Sequence, residues 1–282
     1  MNALNRKIFQ RVVLYILCAL IIINVLFPIY WLITTSVKYD KDSYVFPPQI
    51  IPKEITLKNY IDILVLTKEG NLIKYFFNSI IVTISTIFLS LLFGSMAAYS
   101  LSKNDLSYII RKSILIIILV IRIFPPITTA IPYYVLLSKL RLIDSHLGLI
   151  LSYVSFSLPF AIWLMIGFFQ GLPSEIEDAA TVDGCNYWQR FFRISLPLSL
   201  PGLAVTAIFC FIYSWNEYML ASILTSENAK TLPVVIAGFI SDKYIFWGKM
   251  SSLGVLMLIP IIIFSTFAQK DIVRGLTLGA IK

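Results

Sequence analysis

The hydrophobic positions of this chain are grouped into long blocks, separated by short polar segments. Five intervals of about 20 residues or more contain no charged side chain, and a sixth, residues 113–138, contains only Arg122. Each interval can cross a bilayer once, because a spanning helix requires about 20 mainly apolar residues. The pattern therefore predicts an all-α integral membrane protein with six transmembrane helices, at about residues 12–35, 74–101, 112–137, 147–171, 200–224 and 250–269.

The composition agrees with this assignment. Of the 282 residues, 58% are hydrophobic and 13% are charged, which leaves too little polar surface for a soluble globule. The first apolar run, Val12 to Ile33, is longer than the roughly 7 to 15 apolar residues of a signal peptide, and no Ala-x-Ala site follows it. We therefore expect a retained first span. Without internal repeats or linkers, residues 1–282 are predicted to form a single membrane domain.

The positions of lysine and arginine bear on orientation. An even number of spans places both termini on one side, and basic residues beside the first span normally mark the cytoplasm. Arg6, Lys7 and Arg11 precede the first span, so both termini are predicted to be cytoplasmic. The net charge of +8 fits contact with anionic lipid or with an acidic partner surface. Basic residues form no stripe, and no nucleic-acid partner is expected.

Metal and catalytic sites are not indicated. Cys18, Cys185 and Cys210 are far apart, and His146 is the only histidine in the sequence. A disulfide framework or a metal site cannot be argued from this pattern, and no catalytic residue is predicted. A membrane-embedded enzyme is disfavoured because no carboxylate pair lies in the spans. The chain also has no G-x-x-x-x-G-K-[ST] run, so energy from ATP would have to reach it through another subunit.

Two polar features qualify the simple six-span pattern. Residues 36–74 form the longest polar segment, in which Ile55 to Leu64 is predicted to be an amphipathic helix on the outer surface, as a contact for an external partner or as a solvated connector. The second span carries small and polar residues throughout, which favours close packing inside the helix bundle.

The stretch "SEIEDAATVDG", residues 174–184, concentrates acids in an otherwise apolar chain. Ser174 and Glu177 have the spacing of a capping box, which predicts a helix start. Gly184 is a predicted helix stop, and Asn186 is a predicted cap for a second short helix through "YWQRFFR". The result is a predicted hairpin of two short helices, here called the acidic hairpin (residues 174–193), within a cytoplasmic loop of residues 172–199.

The order "DAATVDGCNYWQRFFRISLPLSLPG", residues 178–202, resembles the EAA loop of bacterial ABC-importer permeases. That loop reads Glu-Ala-Ala, two residues, Asp-Gly, and Leu-Pro about a dozen residues later. Asp178 replaces the glutamate. Two further stretches, "SWNEYMLA" at 214–221 and "QKDIVRGLTLGAIK" at 269–282, resemble the carbohydrate-uptake branch, and the subunit like the smaller permease of the maltose transporter. The matching EAA positions are Ala179, Ala180, Asp183, Gly184, Leu196 and Pro197.

The resemblance implies a permease subunit of an ATP-driven sugar importer in a bacterial or archaeal cytoplasmic (inner) membrane. Its implied partners are a second permease, a homodimeric or heterodimeric cytoplasmic ATPase and an extracytoplasmic sugar-binding protein. It implies no cofactor on this chain, with ATP and Mg on the partner ATPase. The hairpin and the C-terminal tail would contact that ATPase. The predicted ATPase-coupling residues are Glu175, Glu177, Asp178, Ala179, Ala180, Asp183 and Gly184.

Four residues are predicted to line a substrate pathway: Arg122, Trp215, Asn216 and Glu217. Arg122 lies in a span interrupted by prolines, and intramembrane charges usually face a cavity or a partner. It could equally reach the headgroups from near the inner end of its span. Glu217 could face the pathway with Asn216 and Trp215, or pair with Arg122 or with the second permease. The alternative function is an ion-gradient-driven transporter or channel that uses Arg122 and Glu217 as a relay.

Overall fold

The computed structural model describes residues 3–65, 72–103, 107–241 and 243–278. Within these ranges the chain is helical, and the one β feature is an isolated antiparallel bridge between Ile240 and Ile245. The prediction of an all-α protein is confirmed. The elements are α1 (Ala3–Ser36), α2 (Asp40–Ser43), α3 (Lys58–Val65), α4 (Leu72–Ser102), α5 (Tyr108–Ile123), α6 (Pro126–Lys139), α7 (His146–Gln170), α8 (Ser174–Val182), α9 (Tyr187–Arg190), a π-helix (Phe191–Ser195), α10 (Leu196–Leu198), α11 (Leu200–Asn216), α12 (Met219–Leu224), α13 (Leu232–Ala237) and α14 (Trp247–Leu278).

The described helices provide four to six candidate membrane spans. Residues 10–36 of α1, the whole of α4 and α7, and residues 247–266 of α14 are each long and apolar enough to cross a bilayer. Two further pairs of helices pass the same test only when the two members of the pair are counted together. Each pair is bent at the break between its members: α5 with α6 by 96°, and residues 187–198 with α11 by 76°. The sequence motif at 269–282 extends beyond α14 into residues 279–282, which lie outside the described residues.

Two of the predicted spans are not continuous helices. The predicted third span, residues 112–137, breaks between α5 and α6 because Pro125 and Pro126 cannot donate a backbone hydrogen bond and disfavour helical geometry in the residue before them. The predicted fifth span, residues 200–224, stops at Asn216, and a new helix begins at Met219.

The contacts divide the chain into two compact units, of which the first comprises Met1–Leu72 and Ile236–Ile259. Polar side chains fix the end of α1 in this unit. Asn59 on α3 donates to the carbonyl oxygens of Ser36 at 2.9 Å and Lys38 at 2.7 Å, and Ser252 on α14 donates to that of Ser36 at 3.1 Å. The predicted amphipathic helix is present as α3, although it begins at Lys58 rather than Ile55.

The second unit, Ile73–Val235 and Pro260–Lys282, contains a close contact between α4 and α7. Ser90 and Ser157 share a hydrogen bond of 2.8 Å, and a Cβ atom added to Gly94 would lie 2.9 Å from the Cβ of Ala161. The predicted interior position of the second span is confirmed, since most of its small and polar residues are buried. These are Ser79, Thr83, Thr86, Ser90, Gly94, Ser95 and Ala98.

Asp144, in the turn between α6 and α7, holds the segment after α12 in place. Its carboxylate accepts backbone N–H bonds from Ser226 at 2.9 Å, Asn228 at 3.0 Å, Ala229 at 3.1 Å and Glu227 at 3.2 Å. Burial favours the neutral acid, but these hydrogen bonds outweigh it and hold the pKa of Asp144 well below its usual range. We call this arrangement the Asp144 clasp.

Candidate functional site

The acidic hairpin turns at Gly184. Its φ of +83° lies in the left-handed region, which glycine adopts without steric cost. The N–H of Gly184 donates to the carbonyl of Thr181 at 3.1 Å, and the N–H of Cys185 donates to that of Ala180 at 2.9 Å. These two bonds form a Schellman motif, which satisfies carbonyls at the end of α8. The prediction that Gly184 stops the helix is confirmed.

The second arm of the hairpin starts with a capping box. The side chain of Asn186 accepts the N–H of Gln189 at 2.9 Å, and the Gln189 side chain accepts the N–H of Asn186 at 2.9 Å. The predicted cap at Asn186 is therefore confirmed. Arg190 then donates to the hydroxyl of Thr181 at 2.8 Å, which ties the two arms together. The hairpin is thus fixed by its own local chemistry.

The predicted capping box between Ser174 and Glu177 is wrong. The Glu177 carboxylate points inward, where it accepts hydrogen bonds from Ser195 at 2.6 Å and Tyr99 at 3.2 Å and pairs with Lys103 at 2.5 Å. An ammonium and two hydroxyls satisfy the carboxylate better than one backbone amide at the helix start. Burial raises the pKa of Glu177, but the bonds from Lys103 and Ser195 and the charge of Lys103 outweigh it and lower the pKa below its ordinary value.

The seven predicted coupling residues divide between two faces of α8 and its turn. Glu177 and Ala180, 7% and 5% exposed, face inward, whereas the remaining five are exposed. Four exposed apolar residues were not predicted: Ile176 (41% exposed), Val182 (87%), Trp188 (52%) and Phe192 (48%). Their apolar character within a polar loop was the available signal. The exposed surface of the hairpin therefore combines acids, two small residues and four large apolar side chains. The exposed predicted residues are Glu175, Asp178, Ala179, Asp183 and Gly184.

An aromatic cluster supports the base of the hairpin. Tyr99 from α4 packs against Phe191 with ring centroids 5.1 Å apart and against Phe169 with centroids 5.5 Å apart. All three side chains are at most 2% exposed. Phe191 opens the π-helix, and Ser195, which donates to Glu177, closes it. The hairpin is therefore anchored to α4 and α7 by both apolar packing and a buried polar contact.

Arg122 lies near the end of α5, beside the break in the third span. Its side chain is exposed, and the guanidinium carbon is 4.0 Å from the ring centroid of Phe160, a cation–π contact. Among the described side chains, it forms no ion pair with Glu217. Of the alternatives for Glu217, the pairing with Arg122 is therefore not present, while the pathway and headgroup interpretations of Arg122 stay predictions.

Glu217 occupies the break between α11 and α12. It is 8% exposed, and its carboxylate accepts the backbone N–H groups of Leu220 at 2.8 Å and Ala221 at 3.1 Å. A carboxylate at this position complements the positive end of a helix and satisfies amides that lack helical partners. Asn216, by contrast, is exposed and donates to the carbonyl of Ile212 at 2.8 Å. The structure therefore gives Glu217 a local positioning contact.

Trp215 is placed differently from the prediction. It is 1% exposed, stacks on Phe211 with centroids 5.6 Å apart and meets the ring of Phe76 edge-on at 6.2 Å. A ring face that is already covered cannot stack on a sugar ring. The four predicted pathway residues are thus not brought to one surface: Arg122 and Asn216 are exposed, and Trp215 and Glu217 are buried. Among the described residues, no group of three or more potential metal ligands is formed.

Comparisons with known proteins identify related sequences along nearly the whole chain. Residues 90–277 match the family described as "Binding-protein-dependent transport system inner membrane component". The chain is 35% identical over 259 residues to "Probable ABC transporter permease protein y4oR" of Sinorhizobium fredii, covering 91% of this chain and 90% of the relative. It is 32% identical over 281 residues to "Trehalose/maltose transport system permease protein MalG" of Thermococcus litoralis, covering 99% of both chains.

A solved structure shows the same fold. It is described as "Crystal structure of a bacterial ABC transporter involved in the import of the acidic polysaccharide alginate" and matches with a TM-score of 0.76 at 23% identity, covering 96% of this chain and 98% of that chain. These relationships do not favour the alternative of an ion-gradient-driven carrier, because the named relatives are ABC transporter permeases.

Proposed function

This chain belongs to the family of binding-protein-dependent transport system inner membrane components, as a permease subunit of sugar ABC transporters that is not itself an enzyme, and we propose that its acidic hairpin couples it to a cytoplasmic ATPase. The chain would form half of the translocation pathway, and a second permease the other half. ATP and Mg would bind to the ATPase, while an extracytoplasmic binding protein would deliver the sugar. The inner-membrane assignment follows from the family.

The geometry of the hairpin supports this proposal. Its turn is fixed by the Schellman motif, its arms are tied by Arg190 and Thr181, and its base is anchored to α4 through Glu177. A rigid body of this kind transmits displacement, whereas a solvated loop would absorb it. The exposed face offers Ala179 and Gly184 for close approach and Val182 as an apolar knob, which suits insertion into a cleft of a partner.

The proposed topology follows from the same assignment. The bent pair α5 and α6 would serve as one span and α11 as another, giving six with the four continuous helices. Both termini and the acidic hairpin would lie in the cytoplasm, the hairpin between spans four and five. Closure of the ATPase dimer would pull on α8 and, through Glu177 and Lys103, on the inner end of α4. Because α4 is packed closely against α7, the pull would reach two spans together.

The proposed substrate class is a saccharide, as the relatives' names indicate for those proteins. The break between α5 and α6 and the break between α11 and α12 place irregular backbone within apolar segments, which membrane proteins tolerate where the backbone lines a cavity or is buried in protein. Arg122, Asn216 and Glu217 lie at these breaks. Arg122 and Asn216 are the exposed members and the better candidates for contact with sugar.

The test is ATP-driven uptake of trehalose or maltose into proteoliposomes that contain this chain and its co-purifying subunits. Ala179→Trp adds bulk to the exposed face of α8 at a position with ordinary helical geometry. Ala179→Ser, which replaces the same residue but adds little bulk, is the control. We expect the tryptophan variant to fold and insert but to lose both ATPase association and uptake, and the serine variant to retain both.

Gly184 provides a second arm of the test. Gly184→Trp adds bulk and also strains the left-handed turn, whereas Gly184→Ala adds strain with little bulk. Loss of ATPase association in Gly184→Trp but not in Gly184→Ala would support docking. Uptake without ATP, or ATPase association that survives Ala179→Trp, would contradict the proposed coupling.

A further inference from the structure

A cavity of about 230 Å³ lies in the first unit, between the end of α1, residues 42–49 and the start of α14. We call it the loop pocket. A water molecule in liquid water takes up about 30 Å³, so the cavity is several waters in size, yet it is smaller than the roughly 300 to 1,000 Å³ of pockets for drug-sized ligands. A ligand of this site would therefore be small, of the size of one sugar ring.

Residues with unpartnered polar atoms are concentrated around the loop pocket. Among the described residues, nine have a buried side-chain nitrogen or oxygen without a hydrogen-bond partner, and three of those residues line this one cavity: Thr35, Ser43 and Gln49. A buried polar group that lacks a partner costs roughly 1–3 kcal/mol, so such groups are normally satisfied. Each of these atoms is covered by protein, so a side-chain rotation would bring it to a ligand in the adjoining cavity, where it would gain the partner that it lacks.

The charges at the pocket cancel. Lys38 is 2% exposed, donates to the carbonyl of Gln49 and lies over the ring of Trp31 at 4.5 Å, while Asp42 lines the same cavity. Burial lowers the pKa of Lys38, and the negative charge of Asp42 opposes that shift. One cation beside one anion gives no net charge to attract an ion. The pocket therefore favours a neutral ligand that both donates and accepts hydrogen bonds.

Two indole rings supply most of the apolar part of the wall, and Pro48 supplies the rest. Trp31 comes from α1 and Trp247 from the first residue of α14, where it is 41% exposed. Tryptophan offers a flat apolar surface with a single N–H donor. A sugar ring has a C–H face that packs on such a surface and hydroxyl groups that donate and accept around its rim. Aromatic rings with hydroxyl, amide, carboxylate and ammonium groups match both requirements.

We infer that the loop pocket is a binding site for a neutral saccharide unit, with Trp31 and Trp247 against the ring and Thr35, Ser43, Gln49, Lys38 and Asp42 around its hydroxyls. The binding chemistry rests on this first unit alone. Its use as a subsite where sugar arrives at the membrane rests on the proposed function, because only the proposed topology places residues 37–57 outside. The site is distinct from the breaks in the third and fifth spans.

The test is saturable quenching of tryptophan fluorescence in the full-length chain in nanodiscs, without ATP or partner subunits. Glucose and trehalose are the neutral probes, and inorganic phosphate is the anionic probe. We expect a saturable change with a neutral sugar and none with phosphate. The sugar signal should be lost in Trp247→Phe and retained in Trp163→Phe, because Trp163 is on α7 and half-exposed.

Variants that lack the unpartnered oxygens distinguish a ligand-binding role of these side chains from a structural role. The double variant Thr35→Val with Ser43→Ala should keep its thermal stability and bind the sugar about tenfold more weakly, as expected for two lost hydrogen bonds. Thr86→Val is the matched control: Thr86 is also a buried threonine with an unpartnered hydroxyl, but it lies on α4. Its sugar affinity should be unchanged.

Three outcomes would overturn the inference: no saturable change with either sugar, equal sugar affinity in the double variant and the wild type, or binding of phosphate in place of sugar. The result is independent of coupling. Failure of ATP-driven uptake with intact sugar binding would contradict only the proposed function, and intact ATP-driven uptake without sugar binding at this pocket would contradict only the inference.

Discussion

The carboxylate of Glu177 lies 2.5 Å from the ammonium of Lys103, and this ion pair joins the acidic hairpin to the end of α4. The side chains are 9% and 24% exposed, so the pair is shielded more than a surface ion pair. Ser195 and Tyr99 complete the coordination of the carboxylate. Residues that are 74 positions apart in the chain therefore fix the orientation of the hairpin together.

The first prediction concerns this pair. Lys103→Met leaves the Glu177 carboxylate without its charged partner, and Glu177→Gln removes the charge from the other side. Each should cost about 1–3 kcal/mol in free energy of unfolding, and the double variant should show a coupling energy of about 0.5–3 kcal/mol. Thermal unfolding in micelles measures the cost, and hydrogen exchange should accelerate in residues 174–195. Lys112→Met, an exposed lysine on α5, is the control. Additive effects would contradict a direct pair.

The Asp144 clasp predicts a dependence on pH. The folded-state pKa of Asp144 is depressed, so its contribution to stability is fully present above the ordinary carboxyl pKa of about 4 and is lost as pH falls through the lower folded value. Asp144→Asn should remove that contribution at neutral pH and flatten the acid limb of the stability curve. Unfolding midpoints measured from neutral pH downward test this. If the stability of the wild type and that of Asp144→Asn fall equally as the pH is lowered, the clasp is not the cause of the acid destabilisation.

Two glycines of α7 should respond to alanine in opposite ways. A Cβ at Gly148 would lie 2.2 Å from the carbonyl oxygen of Leu142, a backbone atom that cannot move without opening the turn that carries Asp144. Gly148→Ala should therefore destabilise the protein by more than about 1 kcal/mol. At Gly167 nothing lies within 4 Å, and alanine should stabilise by about 0.5–1 kcal/mol through helix propensity. Thermal unfolding of Gly148→Ala and Gly167→Ala measures both effects. Destabilisation of equal size in the two variants would contradict the packing argument.

Glu217 and Arg122 should act independently. Glu217→Gln leaves one oxygen to accept two amides, which should cost about 1–3 kcal/mol. Arg122→Leu loses the contact with Phe160, which is worth about 0.5–2 kcal/mol. Because no ion pair joins the two side chains, the double variant should be additive within about 0.5 kcal/mol. A larger coupling energy would restore the pairing hypothesis. Sugar uptake measured on the same variants separates a pathway role from a stability role.

Local chemistry made part of the hairpin predictable. The turn at Gly184 and the cap at Asn186 depend on residues within a few positions, and the structure confirms both. The direction of Glu177 could not be predicted, because its partners Tyr99 and Lys103 are far away in sequence. The signal available was only that Glu177 and Ala180 are three positions apart and so share a helix face.

In the membrane spans, too, some features were predictable from the sequence and others were not. Their apolar length was evident, and prolines marked the break near residue 125, but the 96° bend between α5 and α6 depends on packing. The break at Glu217 carries no proline or glycine, so the fifth span was predicted to continue to residue 224. The burial of Trp215 follows from Phe76 and Phe211, and Phe76 lies on a different helix.

The π-helix at Phe191–Ser195 gives the hairpin a fixed length as well as a fixed shape. A π-turn accommodates one residue more than an α-turn, so deletion of a single residue here would restore α geometry. That deletion would preserve the facing of the residues after it, because the wider turn absorbs the extra residue. A deletion in the α-helical part, Tyr187–Arg190, would instead rotate everything after it by about 100°, the advance of one residue in an α-helix. Ser195 would no longer face Glu177, and α11 would present a different side to its neighbours. The number of residues between Asn186 and Pro197 is therefore restricted to what the π-turn can absorb, and this restriction on length is separate from the requirements on the docking side chains.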